Sequence, residues 1–349
     1  VSGDSRDCGD LIMPKIAASI ESIRHQTPVE FYWHLGDFRR VHDIDCDMIK
    51  RKYPSFDCKS RPAGVLGPNE MNEYLDAAWD DFVEHQVAPF GKTPVFLGIG
   101  NHELYANFTR DGFRRRFQKW LTVDTLHAQR MADSANGIRT NEGDTYFHFI
   151  KNGGDFIYLD NADASMFSAA ELVWLAKVLA ADAKNDAVKT IVAGMHAALP
   201  YSTSRGHAMD MTCQGLCSGQ QAYDLLYQAQ NLSGPVEKQK RVYVMASHSH
   251  FFEENIYDTP EHRGQVLPGW IIGTAGAEQY RDQIKYGYLL VEVRPDGTLN
   301  PQFKEVTRES PPLASGPGAD ELTSFCFEQN KRKSGDDSFK GDCPCGAAR

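Results

Sequence analysis

Histidine, aspartate and asparagine recur in this chain in short clusters, each placed directly after an apolar, β-branched or aromatic run. Val1 leads into Gly3-Asp4, Phe31-Tyr32-Trp33-His34-Leu35 into Gly36-Asp37, and Val95-Phe96-Leu97-Gly98-Ile99 into Gly100-Asn101-His102-Glu103. Further on, Ile191-Val192-Ala193-Gly194-Met195 leads into His196, and Val242-Tyr243-Val244-Met245-Ala246 into Ser247-His248-Ser249-His250. Imidazole together with carboxylate is a ligand set suited to zinc, iron or manganese. His248 and His250 are one residue apart, so on an extended segment both point to the same side, where each can serve a different ion. Two ions roughly 3.5–4 Å apart, a bridging carboxylate, an activated hydroxide and an acid for the leaving group are what metal-assisted phosphoryl hydrolysis requires. Taken singly, His-x-His, Asp after Gly and Asn-His have ordinary uses as surface residues, turns or helix caps. Their ordered succession carries the reading.

Short strand-like runs alternate with longer helical patterns, the signature of an α/β fold. In an open α/β sheet ligands bind beyond the carboxyl ends of the strands, so clusters far apart in sequence are expected to converge there. Apolar residues at spacings of three and four predict helices near Leu11–Gln26, Asn69–Val87, Thr109–Leu121, Ala169–Ala181 and Gln220–Leu232, which would cover the sheet faces. Asp144–Ile150, Gly153-Gly154 and Asp155–Asp160 predict a hairpin. Val266–Gly276 and Gly287–Val293 add strands before the turn at Pro295-Asp296-Gly297. A two-sheet β-sandwich flanked by helices accommodates them all.

The 349 residues allow one large α/β domain with insertions or two ordinary domains. We expect a catalytic body over 1–310, with insertions at 41–68 and 197–219 forming disulfide-braced rims, and a cysteine-containing tail over 311–349 that wraps the surface. A formal net charge of -10 speaks against an extended nucleic-acid footprint, and no apolar run approaches the roughly 20 residues of a membrane span. Eight cysteines lie mostly in polar, turn-rich stretches without zinc-knuckle spacing, which favours disulfides and an oxidising, secreted or periplasmic setting. The abrupt opening at Val1-Ser2-Gly3-Asp4 fits a leader removed upstream.

The succession Gly36-Asp37, Gly100-Asn101-His102-Glu103, His196 after an apolar strand, then His248-Ser249-His250 resembles the calcineurin-like metallophosphoesterase superfamily, which includes purple acid phosphatases and phosphoprotein phosphatases. The resemblance spans Gly3 to His250. It implies a four-layer α/β/β/α fold and hydrolysis of phosphate monoesters or diesters, with a metal-bound hydroxide as nucleophile. The cofactor it implies is a pair of divalent or trivalent ions, drawn from Fe, Zn, Mn and Mg. It makes Asp37 the bridging carboxylate, Asn101, His196 and His248 ligands of one ion, and Asp4 and His250 ligands of the other. His102 would stand outside the ligand set, touch the scissile phosphate and protonate the leaving oxygen, with Glu103 orienting it.

Three departures stand out. Asp4-Ser5-Arg6 replaces the family's Asp-x-His, and a permanently protonated arginine cannot ligate a metal, so one ion loses a ligand and Arg6 becomes a candidate phosphate contact. Arg40 replaces the tyrosine of the purple enzymes, which argues against an iron–tyrosinate centre. Ser247 stands where glycine usually precedes His-x-His. Arg39 and Arg40 are either a phosphate clamp or a solvated pair. His34, His42, His207 and Tyr201 lie near the motifs but outside the expected core. Asn107-Phe108-Thr109 and Asn231-Leu232-Ser233 match the glycosylation sequon, a pattern common by chance. The competing class is a non-catalytic binding or structural protein on the same fold; retention of His102 argues for the enzyme.

Overall fold

A computed structural model describes residues 1–41, 43–59, 68–105, 108–163, 166–333, 335, 338–341 and 343–345. After the N-terminal segment come α1 (Gly9–Arg24), β1 (Tyr32–His34), α2 (Cys46–Lys52), α3 (Pro68–Phe82) and β2 (Val95–Leu97). Next are α4 (Arg110–Arg116), α5 (Gln118–Leu121), α6 (Asp124–Ala135), the hairpin β3 (Phe147–Lys151) and β4 (Gly154–Leu159), then α7 (Ala169–Asp182) and β5 (Thr190–Met195). The rest is α8 (Cys213–Ala229), β6 (Arg241–Ala246), β7 (Phe252–Glu254), β8 (Gly269–Ile272), the hairpin β9 (Tyr286–Val293) and β10 (Leu299–Val306), and α9 (Ala319–Ser324).

Two sheets result. Among the described residues the larger runs β3-β4-β5-β6-β8-β7, parallel from β4 to β8 and antiparallel at both edges. The second is stitched together by the N-terminal segment. Val1 exchanges backbone hydrogen bonds with Leu289 of β9, while Ser2 pairs with β1 through Trp33 and Leu35, and β1 runs parallel to β2.

Side-chain alternation then sets the layers, because residues two apart share a face. Phe156, Tyr158, Val192, Tyr243 and Met245 turn inward and meet Trp33, Phe96, Leu97 and Leu289 of the second sheet. Ile157, Leu159, Ile191, Ala193, Val242 and Val244 turn outward against Trp174, Leu175 and Val178 of α7 and Ala222, Tyr223 and Leu226 of α8. On the far side, Ile12, Ile16 and Ile20 of α1 cover Tyr32, Tyr286 and Tyr288. The architecture is therefore the expected four-layer α/β/β/α sandwich.

Local signals place most boundaries. The Ser168 and Thr212 hydroxyls accept from the Glu171 and Gly215 amides and cap α7 and α8. The Thr212 cap starts α8 well before Gln220, so the end of the 197–219 insertion is helical. That start puts Cys213 and Cys217 at i, i+4 on one helix face, where they bond to Cys343 and Cys345 of the tail. Cys46 pairs with Cys58, and Cys8 with Cys326, so all eight cysteines are bonded. No described helix is long and apolar enough to cross a membrane.

Candidate metal centre

The motif residues arrive at one end of the sandwich because the strands that carry them run in the same direction. His196 follows β5, Ser247–His250 follow β6, Asp37 follows β1 and Asn101 follows β2; Asp4 comes from the segment paired to β1. Asp4, Asp37 and His248 all hold left-handed backbone conformations, with φ of 61°, 61° and 64°. Such angles cost non-glycine residues of order 1–3 kcal/mol each and mark sites where side-chain aim outweighs backbone comfort. Gly36, at φ 102°, lets the turn after β1 approach that after β2: a Cβ there would lie 2.5 Å from the Gly100 nitrogen.

Glu103 locks this junction. Its carboxylate accepts from the amides of Asp37 at 2.9 Å, Phe38 at 2.8 Å and Gly100 at 2.7 Å. The expectation that Glu103 orients the His102 ring is corrected by these contacts. The Arg40 carbonyl accepts from Nδ1 of His102 at 2.5 Å and so turns Nε2 toward the centre. His196 and His250 are set in the same way: Nδ1 of each meets a carbonyl, Leu35 at 3.0 Å and Glu278 at 2.7 Å. Outer carbonyls of this kind fix tautomer and aim.

Around Nε2 of His196 gather Asn101 Oδ1 at 2.9 Å, His248 Nδ1 at 3.1 Å and Asp37 Oδ1 at 3.2 Å. Four donors crowded about one point, two of them imidazole nitrogens, fit a transition metal. Asp4, Asp37 and His250 form a second group whose ligand atoms lie within 4.8 Å of one another, so Asp37 is common to both groups. Oδ1 of Asp4 and Oδ2 of Asp37 are buried without a hydrogen bond.

Electrostatics follow from burial. Burial resists the Asp37 charge, but His102, His196 and Arg6 hold its carboxyl well below the usual range. His248 and His250 are kept well below the ordinary imidazole value, first by burial and then by the neighbouring cations His196 and Arg6, which leaves them neutral as ligands must be. Burial opposes a charge on His196 too, yet Asp37 lifts that ring to about 9. Asp4, desolvated, is pushed up to about 7.

Arg6 is also brought in. Its Nη2 donates to Nε2 of His250 at 2.8 Å, Nη1 meets Nε2 of His102, and Nη1 lies 3.8 Å from Asp37 Oδ2. Arg39 and Arg40 form neither a phosphate clamp nor a solvated pair. Arg39 is buried among Asp10, Asp47 and Asp81, and Arg40 pairs with Asp7 and Glu278. Ser247 keeps the turn intact, its hydroxyl donating to the Leu35 carbonyl at 3.2 Å. His34 is buried and neutral, its pKa lowered by burial to about 3, and Tyr201 packs beside His262. His42 and Asn107 lie outside the described residues.

Two contributors escaped the sequence reading. Tyr280 stacks on His250 with ring centroids 4.2 Å apart, and Glu278 supplies the aiming carbonyl. His207, placed outside the expected core, has its ring centroid 5.5 Å from that of His248. A signal existed for the first two: Gly273-Thr274-Ala275-Gly276 follows the apolar β8, the same strand-then-glycine pattern as the other motifs.

The fold is a metallophosphoesterase-like α/β/β/α sandwich. A solved purple acid phosphatase from seeds of yellow lupin (Lupinus luteus) superimposes with a TM-score of 0.54 at 14% sequence identity, over 87% of this chain and 50% of that one. This chain thus spans half the length of that structure, and the likeness is one of fold. No protein-family model and no curated protein matches the chain.

Proposed function

We propose that this protein is a metal-dependent hydrolase of phosphate esters, acting at the centre formed by Asp4, Asp37, Asn101, His196, His248 and His250. The observation that carries the reading is the gathering of Asn101, His248 and Asp37 donor atoms within 3.2 Å of His196 Nε2, beside the buried His102. A bound zinc, iron, manganese or magnesium ion would supply Lewis acidity and a lowered pKa for water. The chain's own residues do the rest. Asp37 stays ionised and ties both donor groups together. His102, with Nδ1 committed to the Arg40 carbonyl, presents Nε2 as the atom that holds or passes a proton at the leaving oxygen. Arg6 offers the guanidinium that would meet a non-bridging phosphate oxygen.

The paired cysteines support an oxidising compartment, and we assign the protein to a secreted or periplasmic location. A small phosphate ester is the proposed substrate. Metal analysis of purified protein, joined to a panel of phosphate monoesters and diesters, tests the reading. Turnover that is lost on chelation and restored by a divalent ion is the expected result. Bound metal without turnover on the whole panel would replace hydrolysis by the alternative, a binding protein on this fold.

A further inference from the structure

The second donor group differs from the first in what already stands against it. His250 has one nitrogen to offer an ion, because Nδ1 is committed to the Glu278 carbonyl, and Nε2 is taken by the Arg6 guanidinium at 2.8 Å. The other end of the same guanidinium meets His102 Nε2 and lies 3.8 Å from Asp37 Oδ2. Arg6 is 5% exposed, and its partner His250 is stacked under the ring of Tyr280. A cation coordinated by Asp4, Asp37 and His250 would share this space with a group that is permanently positive. Two like charges a few ångströms apart repel strongly in a site from which water is excluded, and the more so when one is a divalent ion. By contrast, the fixed charge touches the donors about His196 only through the far oxygen of Asp37, whose other oxygen faces His196 at 3.2 Å.

We infer that the protein holds a single metal ion, on Asp37, Asn101, His196 and His248, and that the Arg6 guanidinium takes the place of a second. The inference rests on the metal reading above and departs from the paired ions that the motif order implies. Asp4 and the free oxygen of Asp37 then serve as counter-charges to the guanidinium. The organic charge cannot be chelated away, so part of the positive field of the centre is built into the polypeptide.

Counting ions tests this without reference to activity. Metal-free protein is equilibrated with Zn2+ or Mn2+ and analysed by plasma mass spectrometry and titration calorimetry. One ion per wild-type chain is expected, with affinity falling about tenfold or more in His196→Ala and staying within about twofold in His250→Ala. Arg6→His, which removes the fixed charge and adds an imidazole, should raise the count to two. Two ions on the wild-type chain, or equal losses in His196→Ala and His250→Ala, would overturn the inference and leave the proposed hydrolase standing. No ion on the wild-type chain would instead sink the metal reading itself. The wild-type count decides even if Arg6→His does not fold.

Discussion

Asp37, His196 and His102 sit within a few ångströms of one another, yet their losses should read differently. Asp37→Asn or His196→Ala removes a donor, so bound metal and turnover should fall together; wild-type metal content in both would break the ligand assignment. His102→Ala should keep its metal and lose about 10²–10⁴-fold in kcat, as expected of a proton donor that binds no ion. Glu103→Ala strands the amides of Asp37, Phe38 and Gly100 in a buried junction, at about 1–3 kcal/mol for each unsatisfied group. A drop in unfolding free energy of at least about 2 kcal/mol by urea titration is expected, and a change near zero would show that water replaces the clamp. The candidate ligands were legible because each follows an apolar run with a polar cluster. The partners of Arg6 and Arg39 were not. Arg6 contacts residues 96 and 244 positions away, and Arg39 lies among aspartates from three separate segments. No local pattern carries such distances.

Among the elements, the strands with clean alternation or unbroken apolar runs were legible, and those without were missed. β10 holds Pro301 in its interior, tolerated because it is the outer strand of its hairpin, and α6 buries only Leu126 and Asp133. Asp133 has a purpose that only the packed elements reveal. It reaches His148 of β3 at 2.9 Å, opposite Asp155 of β4 at 2.8 Å, and Asp155 in turn faces Asp182 at the end of α7. Burial resists a charge on His148, but Asp155 leads the groups that raise its pKa to about 10, while burial and Asp155 push Asp182 up to about 9. The native state therefore keeps protons that the unfolded chain gives up near 6.5 and 3.8. With more protons bound in the native state, stability must fall as pH rises from about 6.5 toward 10. Chemical denaturation at pH 6.5, 8 and 9.5 should show that decline, and Asp182→Asn should flatten it. Stability that is constant or rises over this range would rule out the linkage.

At the scale of the molecule, a two-sheet sandwich flanked by helices was legible from the strand-to-helix rhythm, and its four-layer order only from the family resemblance; the route by which the tail joins the body was not legible, since cysteine positions do not specify partners. The tail is tied to the site. Asn330 hydrogen-bonds Tyr286 and the Gly276 carbonyl, and the backbone of Gln279, next to Glu278, bonds to Asn330 and Arg332. Cys8–Cys326 closes a span of 318 residues, worth about 6 kcal/mol in the chain-entropy model. Replacing both by serine should lower the thermal midpoint more than the Cys217→Ser, Cys345→Ser pair, whose bridge lies at the periphery; equal shifts would argue that the tail beyond Asn330 matters as much. The same connectivity bears on biosynthesis. Only Cys46–Cys58 joins cysteines that are neighbours in chain order and remote from the other pairs, while Cys8 must wait for Cys326. On the proposed secreted location, an oxidant that joins thiols in order of emergence would pair Cys8 with Cys46 ahead of Cys326, a bond the native protein lacks. Maturation in a heterologous host should then depend on a disulfide isomerase that can undo early mistakes, and an oxidase alone will fill the compartment with misbridged chains.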